Sequence, residues 1–218
     1  MSKSPNRGKS SAAGSGRTTR RTATEDKLDR LLSAAAALMA RKGFSQTSIR
    51  DVSRATGFSL AGMYYYFKSK DDLLFLIQQR TFTSLVETQE AALAQGGSPE
   101  ERLRRLVHGH LAFYTTHSDE LKVCTFELES LSGETYHEVE EVRRRYYRLT
   151  AALIAEVLGR PQREGRLDLV VRHVTLYIFG MLNWVFMWYD PDLDTSMESM
   201  ADEMADLLLH GVERMSPA

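Results

Sequence analysis

Helix-start signals recur along this chain, and no other regular pattern competes with them. Ser69, Ser98 and Thr195 each precede a carboxylate by three residues. A hydroxyl in that position caps the free backbone amides at a helix N-terminus. Strands would show alternating apolar and polar residues bounded by hairpin turns, and the sequence contains no such segment. The pattern therefore predicts an all-α protein.

Apolar residues spaced three and four apart predict about nine helices, three small ones in front and a bundle behind. This arrangement predicts three parts: an arm (1–22), a head of short helices (23–72) and a helical body (73–218). The predicted helices are 24–42, 47–56, 59–67, 70–95, 99–117, 119–131, 134–159, 167–189 and 196–214.

The parts of the chain before and after the end of Lys70 carry net charges of opposite sign. Residues 1–70 contain 14 Lys and Arg against 4 Asp and Glu, whereas residues 71–218 contain 14 against 25, which gives net charges of +10 and −11. Residues 1–22 carry six of these cations and no acid among mostly Ser, Gly, Thr and Ala, so we expect a disordered basic arm. A basic front part indicates a polyanionic partner.

Several classes of protein are disfavoured. Cys124 is the single cysteine, which excludes an internal disulfide and favours the reducing cytoplasm. The basic N-terminal residues have no apolar segment behind them to make a secretory signal. The longest apolar stretch, 174–189, is short for a membrane span, so no membrane partner is expected. Phosphate-binding glycine loops, nucleophile motifs and metal-ligand spacings are not found, so we expect no enzyme, cofactor or metal.

Residues 47–67 form two short predicted helices separated by Gly57 and Phe58. Glycine readily adopts the left-handed conformation that ends a helix. Helical spacing predicts an inward face of Ile49, Val52 and Ala55 in the first helix, an inward face of Leu60, Met63, Tyr64 and Phe67 in the second, and an outward face of Ala61, Gly62, Tyr65 and Tyr66. The outward face is small and uncharged where it begins, which suits entry into a DNA major groove. An amphipathic core segment with surface tyrosines is the alternative.

This run resembles the DNA-binding signature of TetR-type transcriptional regulators, with a Thr-rich start, a glycine turn and a Ser-x-x-x-Leu-Tyr-x-His-Phe-x-x-Lys-x-x-Leu pattern. The resemblance is strong over residues 24–75 and implies a helix-turn-helix DNA-binding head (23–72) and a body for effector binding and dimerisation (73–218). It also implies a homodimer on palindromic operator DNA and repression relieved by a small molecule. It implies groove contacts by Leu60, Ala61, Gly62 and Tyr65, phosphate contacts by Thr47, Ser48, Tyr64 and Lys70, and packing by Met63 and Phe67. Tyr66 replaces the usual histidine and Gly62 replaces Thr or Ala, which leaves the base preference at these two positions open.

The predicted helix 167–189 is apolar almost all round, so it must be covered on most sides. The resemblance places it, with the last helix, in a four-helix dimer interface. An ordinary central core helix is the alternative. Both interpretations predict burial, but only the first predicts dimerisation.

Aromatic residues and a few polar ones in the body are candidates for an effector pocket. Aromatic side chains suit a flat or long apolar effector, although they suit a protein core equally well. The pocket candidates are His110, Phe113, Tyr114, Phe126, Glu127, Tyr147, Asn183, Trp184 and Trp188. The Trp-Tyr-x-Pro sequence at 188–191 is similar to that of regulators of lipid or sterol breakdown, which respond to CoA esters.

Arg143, Arg144, Arg145 and Arg148 form the dense basic cluster of an acidic body. A phosphate-bearing effector such as an acyl-CoA would need a site of this kind. A salt-bridged solvent face is the plainer interpretation, because Glu140 with Arg144 and Glu141 with Arg145 are spaced four apart.

A binding protein of another class is the main rival to a regulator. It would be a helical sensor or scaffold whose basic head binds RNA or a membrane. RNA-binding modules present stacking aromatic residues on sheets or use Arg-rich segments. Membrane-binding helices carry large apolar side chains on one face and Lys and Arg on the other. The small outward face predicted for residues 61–66 matches neither pattern.

Overall fold

The computed structural model describes residues 23–160 and 168–215, and within these ranges it contains eight α-helices and no strand, which confirms the all-α prediction. The arm predicted for residues 1–22 lies outside the described residues. The helices are α1 Ala23–Lys42, α2 Ile49–Thr56, α3 Leu60–Met63, α4 Lys70–Leu93, α5 Pro99–Phe126, α6 Gly133–Val157, α7 Leu169–Trp184 and α8 Met197–Met215. Two 3₁₀ turns, Leu128–Ser130 and Val185–Met187, follow α5 and α7.

The head is built from α1, α2, α3 and the start of α4 around one apolar core. Leu31 and Met39 of α1 meet Val52 of α2 and Met63 of α3, and all four side chains are buried. Burial of such side chains is the main favourable contribution to folding in so small a unit. The start of α4 adds Leu73 and Leu74 to the same core.

The body surrounds α5, which packs against α4, α6 and α8. Its core is aliphatic at the centre, where Leu106 and Leu111 of α5 and Leu153 and Ile154 of α6 are fully buried. The later part of α4 contributes Leu85, Val86 and Leu93. One helix, α4, therefore belongs to the cores of both head and body.

A kink in α5 accounts for the difference between nine predicted helices and the eight that are described. The predicted helices 99–117 and 119–131 are joined, with non-helical backbone at His117 (φ −133°, ψ 30°). The Phe113 carbonyl, the regular partner of the residue 117 amide, is also contacted by side chains: Thr116 Oγ1 lies 3.2 Å from it and His117 Nδ1 lies 3.1 Å from it. Side chains that compete for a backbone carbonyl in this way bend helices.

The predicted helix starts are confirmed at two positions and shifted at the third. Ser69 accepts a hydrogen bond from the Asp72 amide, and Ser98 forms a capping box with Glu101. At α8 the capping hydroxyl belongs to Ser196, which accepts from the Ser199 amide, and not to Thr195. Capping chemistry is short-ranged, so neighbouring hydroxyls can compete for the same helix end.

Residues 169–187, which comprise α7 and its 3₁₀ turn, are the one described stretch that is long and apolar enough to cross a membrane by length and composition. A core helix of a soluble protein passes the same test. Because α7 packs against α5 and α6, this stretch contributes to the core of the body.

Candidate nucleic-acid interface and effector site

The turn between α2 and α3 is fixed by local hydrogen bonds. Ser48 caps α2 by accepting from the Asp51 amide at 3.2 Å, and the Asp51 carboxylate accepts from the Ser48 amide at 3.0 Å and from its hydroxyl at 2.7 Å. These bonds hold the pKa of Asp51 below its ordinary value. Gly57 ends α2 at φ +73°, a conformation that side chains with a Cβ rarely adopt. Ser59 then caps α3.

Helix α3 is one turn long, although its hydrogen bonding continues as far as the Phe67 amide, which donates to the Met63 carbonyl at 3.3 Å. Met63 and Phe67 are buried as predicted. Leu60 and Tyr64 were expected on the packed face and are exposed, at 38% and 52%. Met63 ends α3 and Phe67 lies beyond it, so the one-turn helix itself supplies a single buried side chain, Met63, to the core. Ala55, another predicted inward residue, is exposed as well.

The exposed surface of α3 is largely uncharged. Leu60, Ala61 and Tyr65 are exposed, and Tyr65 is the most accessible at 78%. Gly62 is half-buried, and a Cβ there would lie 3.2 Å from the Ser59 hydroxyl. Tyr66 is also half-buried and packs edge-on against Tyr65 at 5.1 Å between ring centroids. We define the reading face as Leu60, Ala61, Tyr64 and Tyr65.

Three of the expected phosphate contacts, Thr47, Ser48 and Lys70, are engaged within the head, Ser48 through its bonds to Asp51. Thr47 is buried, at 2% exposure, and its hydroxyl donates to the Gly43 carbonyl at 2.8 Å. We therefore leave Thr47 out of the proposed DNA contacts. Lys70 donates to the carbonyls of Phe44 at 2.9 Å and Ser45 at 3.4 Å. A lysine ammonium has three donors, so one of them remains for a phosphate oxygen.

Exposed cations around the reading face were missed by the sequence analysis. Arg50 and Arg54 lie on α2, and Lys68 follows α3; all three are exposed. Arg54 also approaches Asp51 at 3.7 Å, a weak exposed pair that DNA phosphates can displace. For Arg50 and Arg54 the signal was present in the sequence, since these two positions lie opposite the buried Val52 on α2.

The effector-pocket candidates are not brought together into one site. His110 is buried, and its Nδ1 lies 3.0 Å from the hydroxyl of Tyr146, which is buried too. Burial lowers the pKa of His110 to about 4, so its ring is neutral at pH 7. Phe113 is buried and stacks on His117 with ring centroids 3.9 Å apart. Tyr114 and Tyr147 are half-buried and pack against the same core.

The tryptophan candidates lie on the surface. Trp184 and Trp188 are half exposed and line an open apolar groove of about 550 Å³. Phe126 is also half exposed and contacts Trp184 edge-on at 6.3 Å. Asn183 is half-buried next to Trp184. The groove is further lined by Leu176, Tyr177, Gly180, Met181 and Met204.

Each arginine of the cluster has a partner within the body. Arg144 pairs with Glu140 at 2.8 Å, as predicted. The predicted pairing of Glu141 with Arg145 is wrong, because Glu141 pairs with Arg148 at 2.5 Å. Arg145 crosses to Glu90 of α4, with its Nε 2.7 Å from the carboxylate. Arg143 donates to the Cys124 carbonyl at 3.0 Å and lies over the Phe82 ring. This arrangement supports the salt-bridged interpretation of the cluster.

Comparison with known proteins identifies the family. The family model described as "Tetracyclin repressor-like, C-terminal domain" matches residues 96–212, more than half of the chain, and the model "Bacterial regulatory proteins, tetR family" matches residues 31–77. The chain belongs to the TetR family. This is a family of ligand-responsive, DNA-binding transcriptional regulators and not of enzymes, and its members are soluble proteins.

Three relatives illustrate the likeness. The "Fatty acid metabolism regulator protein" of Bacillus subtilis is 21% identical over 84% of this chain and 93% of its own length. The TetR-family regulator PfmR of Thermus thermophilus has a TM-score of 0.73 at 29% identity, over 84% of this chain and 98% of that one. AibR, solved with isovaleryl coenzyme A and operator DNA, shares the fold with a TM-score of 0.72 at 24% identity, over the same shares of the two chains.

In this TetR-family chain Glu127 connects body to head. Its carboxylate accepts from the Phe44 amide at 3.1 Å and from the Ser130 hydroxyl at 2.8 Å. Its backbone carbonyl accepts from Gln78 at 2.9 Å. The end of α5 is thereby tied to the turn between α1 and α2, a contact between distant segments that the sequence pattern did not indicate.

We expect Glu127→Ala to lower the free energy of unfolding by about 1–3 kcal/mol, because the Phe44 amide, on a buried residue, loses its acceptor. Urea unfolding followed by circular dichroism would measure the change. Glu129→Ala is the matched control, since Glu129 is exposed in the same turn and should change stability by under about 0.5 kcal/mol. Equal effects of the two substitutions would contradict the role given to Glu127.

A second cavity, more polar than the groove lined by Trp184 and Trp188, lies between head and body. A cleft of about 630 Å³ lies between α1, α4 and the kink of α5. Arg80 of α4 crosses to Asp29 of α1 at 2.6 Å beside it. Together with Glu127, this ion pair connects the head to two different helices of the body.

Proposed function

We propose that this chain is a homodimeric repressor that binds a palindromic operator and is released from it by a small apolar or acyl-CoA-like effector. The reading face carries the proposal: an uncharged, exposed surface on a capped helix of the head, with Arg50, Arg54 and Lys68 at its margins. Uncharged side chains suit contact with base edges, and cations at the margins suit phosphates. RNA-binding and membrane-binding heads are disfavoured, since neither needs such a face.

Dimerisation is supported by an apolar strip on α7. Leu169, Tyr177, Trp184, Met187 and Trp188 are exposed, at intervals that place them along one side of the helix and its 3₁₀ turn. An exposed apolar strip of this length is typical of an interaction site. A second copy of the chain is the proposed occupant, because one short recognition helix covers only half an operator and two-fold symmetry supplies the other half.

The effector class is supported by the relatives. One is a fatty acid metabolism regulator, and AibR was solved with isovaleryl coenzyme A. Arg143, Arg144, Arg145 and Arg148 each have a partner within the body, so a CoA phosphate would have to displace or share these contacts. We propose that the acyl portion enters the body. If the effector binds more tightly to the dimer conformation in which the two heads are wrongly spaced for DNA, it shifts the population toward DNA-free protein. We place the protein in the cytoplasm, with the chromosome.

Fluorescence anisotropy would test the proposal with labelled DNA from upstream of the protein's own gene. We expect binding that persists against a large excess of unrelated DNA of equal length and that is reduced by acyl-CoA esters. A genomic selection with the purified protein would find the operator if it lies elsewhere. Equal, steeply salt-dependent binding to every fragment recovered would contradict a sequence-reading head.

A further inference from the structure

A pocket of about 480 Å³ lies on the head, between the first half of α1 and the turn that joins α2 to α3. It shares no lining residue with the cleft between head and body or with the groove on α7, so it is a separate cavity. We call it the α1 pocket, and its lining includes Lys27, Arg30, Ala55, Thr56, Gly57 and Phe58. The reading face contains none of these residues.

The two charged residues of the α1 pocket are both cations. Lys27 and Arg30 are exposed and lie three residues apart, on one face of α1. Among the described residues neither side chain pairs with a carboxylate, and Arg30 donates from its Nε to the Asp26 carbonyl at 3.3 Å. Asp29, which lies between them in sequence, pairs with Arg80 of α4 at 2.6 Å. The pocket therefore carries two positive charges and no acid in its lining, which favours an anionic ligand.

Carbon forms much of the wall that faces the cations. Ala55 is exposed, although helical spacing predicts it on the inward face of α2, and Phe58 is half-buried and packs against the core of the head. Gly57 is exposed between them, and a Cβ there would meet no atom within 4 Å. The Thr56 hydroxyl is used internally, since it donates to the Val52 carbonyl at 2.8 Å. A ligand of matching chemistry has an anionic group next to an apolar one.

The α1 pocket borders the reading face. Phe58 lies two residues before Leu60, which limits the distance between their Cα atoms to about 7 Å. Lys68 and Lys70 follow the reading face in the chain, so cations lie at both of its ends. A helix that enters a major groove has a sugar-phosphate strand on either side of it. The position of the pocket therefore matches one of these two strands.

We propose that the α1 pocket holds the sugar-phosphate backbone of the DNA strand at the N-terminal end of α3, with Lys27 and Arg30 on one phosphate. Ala55 and Phe58 pack against the adjoining deoxyribose. This inference rests on the proposed function, since it extends the contact of the head with operator DNA. Backbone contacts carry no sequence information, so the pocket strengthens binding to every duplex equally. With the cations that follow α3, it fixes the orientation of that helix across the groove.

The double variant Lys27→Ala/Arg30→Ala tests the proposal by fluorescence anisotropy, on the operator and on an unrelated duplex of equal length. We expect the affinity for both duplexes to fall about tenfold or more at physiological salt. The slope of log affinity against log salt should become shallower by about two, for one phosphate on each head of the dimer. Lys122→Ala/Arg144→Ala is the matched control, because it removes the same charge from the body, and it should keep the wild-type slope.

A methylphosphonate scan of the operator locates the contact. Each phosphate of one half-site is replaced in turn by the uncharged methylphosphonate. We expect one replacement to weaken the wild-type protein by about fivefold and to leave the Lys27→Ala/Arg30→Ala protein unchanged, because the two partners of one contact are not additive. Ala55→Glu should weaken binding to both duplexes as well, since it supplies the cations with an internal carboxylate.

The proposal is overturned if the double variant keeps the wild-type salt slope, if no phosphate couples to it, or if Ala55→Glu binds like the wild type. A loss confined to the operator would also overturn it, because the two cations would then read bases. Equal binding of the wild-type protein to both duplexes would contradict the proposed function instead. The salt slopes on the unrelated duplex would still decide whether the α1 pocket contacts DNA.

Discussion

Replacing Ala61 with aspartate is expected to lower operator affinity by about 100-fold or more while leaving the fold intact. Ala61 is exposed within the first turn of α3, where an acidic side chain favours the helix through its dipole. The same carboxylate would face the bases and phosphates of the operator, and like-charge contacts across an interface cost several kcal/mol. The substitution therefore separates the stability of the head from its binding to DNA. Anisotropy titration at fixed salt would measure the loss.

Ala61→Asn is the matched control, because asparagine has the size of aspartate without its charge. We expect it to cost far less affinity than the aspartate, and we expect circular dichroism melting of both variants to match the wild type. Retention of wild-type affinity by Ala61→Asp would show that α3 does not face DNA. Equal losses for both variants would indicate that volume, and not charge, determines contact at this position.

Replacing Gly180 with arginine is expected to dissociate the proposed dimer. Gly180 lies in the exposed strip of α7, and a Cβ there has no neighbour within 4 Å, so one chain accommodates the larger side chain. In a two-fold interface each copy would bury an unpaired cation, which costs about 3–5 kcal/mol. That cost corresponds to a rise in the dimer dissociation constant of about 100-fold or more. Sedimentation velocity would measure it, and operator affinity should fall with it.

Ala91→Arg provides the control for charge and size, because Ala91 is exposed on α4, away from the strip on α7. We expect this variant to remain dimeric. A Gly180→Arg protein that stays dimeric would mean that α7 is not the interface. A wild-type protein that is monomeric at micromolar concentration would contradict the proposed dimer directly.

The helix-turn-helix head could be predicted from sequence because its signals are local. Ser48, Asp51 and Gly57 act within one or two helical turns, and each does in the structure what its chemistry indicates. The faces of α3 could not be predicted in the same way. Helical periodicity defines a face only when several turns repeat it, and a one-turn helix leaves Leu60 and Tyr64 exposed where the pattern placed them inward.

Spacing rules could not predict side-chain pairs between residues that are distant in the sequence. Spacing suggested that Arg145 pairs with Glu141 on its own helix, but it pairs with Glu90 on α4. Glu127 was grouped with the pocket candidates because an apolar pocket needs a few well-placed polar groups, and spacing gave no sign that it binds the Phe44 amide of the head. Lys27 and Arg30 were not singled out at all, since two cations on a helix are ordinary until the pocket that they border is known.

The shared helix α4 has a consequence for recombination between relatives. Leu73, Leu74 and Ile77 pack in the core of the head, whereas Leu85, Val86 and Leu93 pack in that of the body. A chimera joined at residue 72 would place a foreign helix inside the DNA-binding unit and a foreign residue opposite the Phe44 amide, which Glu127 binds at the end of α5. New sensory specificities should therefore be acquired more readily by substitutions within the body than by exchange of whole bodies between family members.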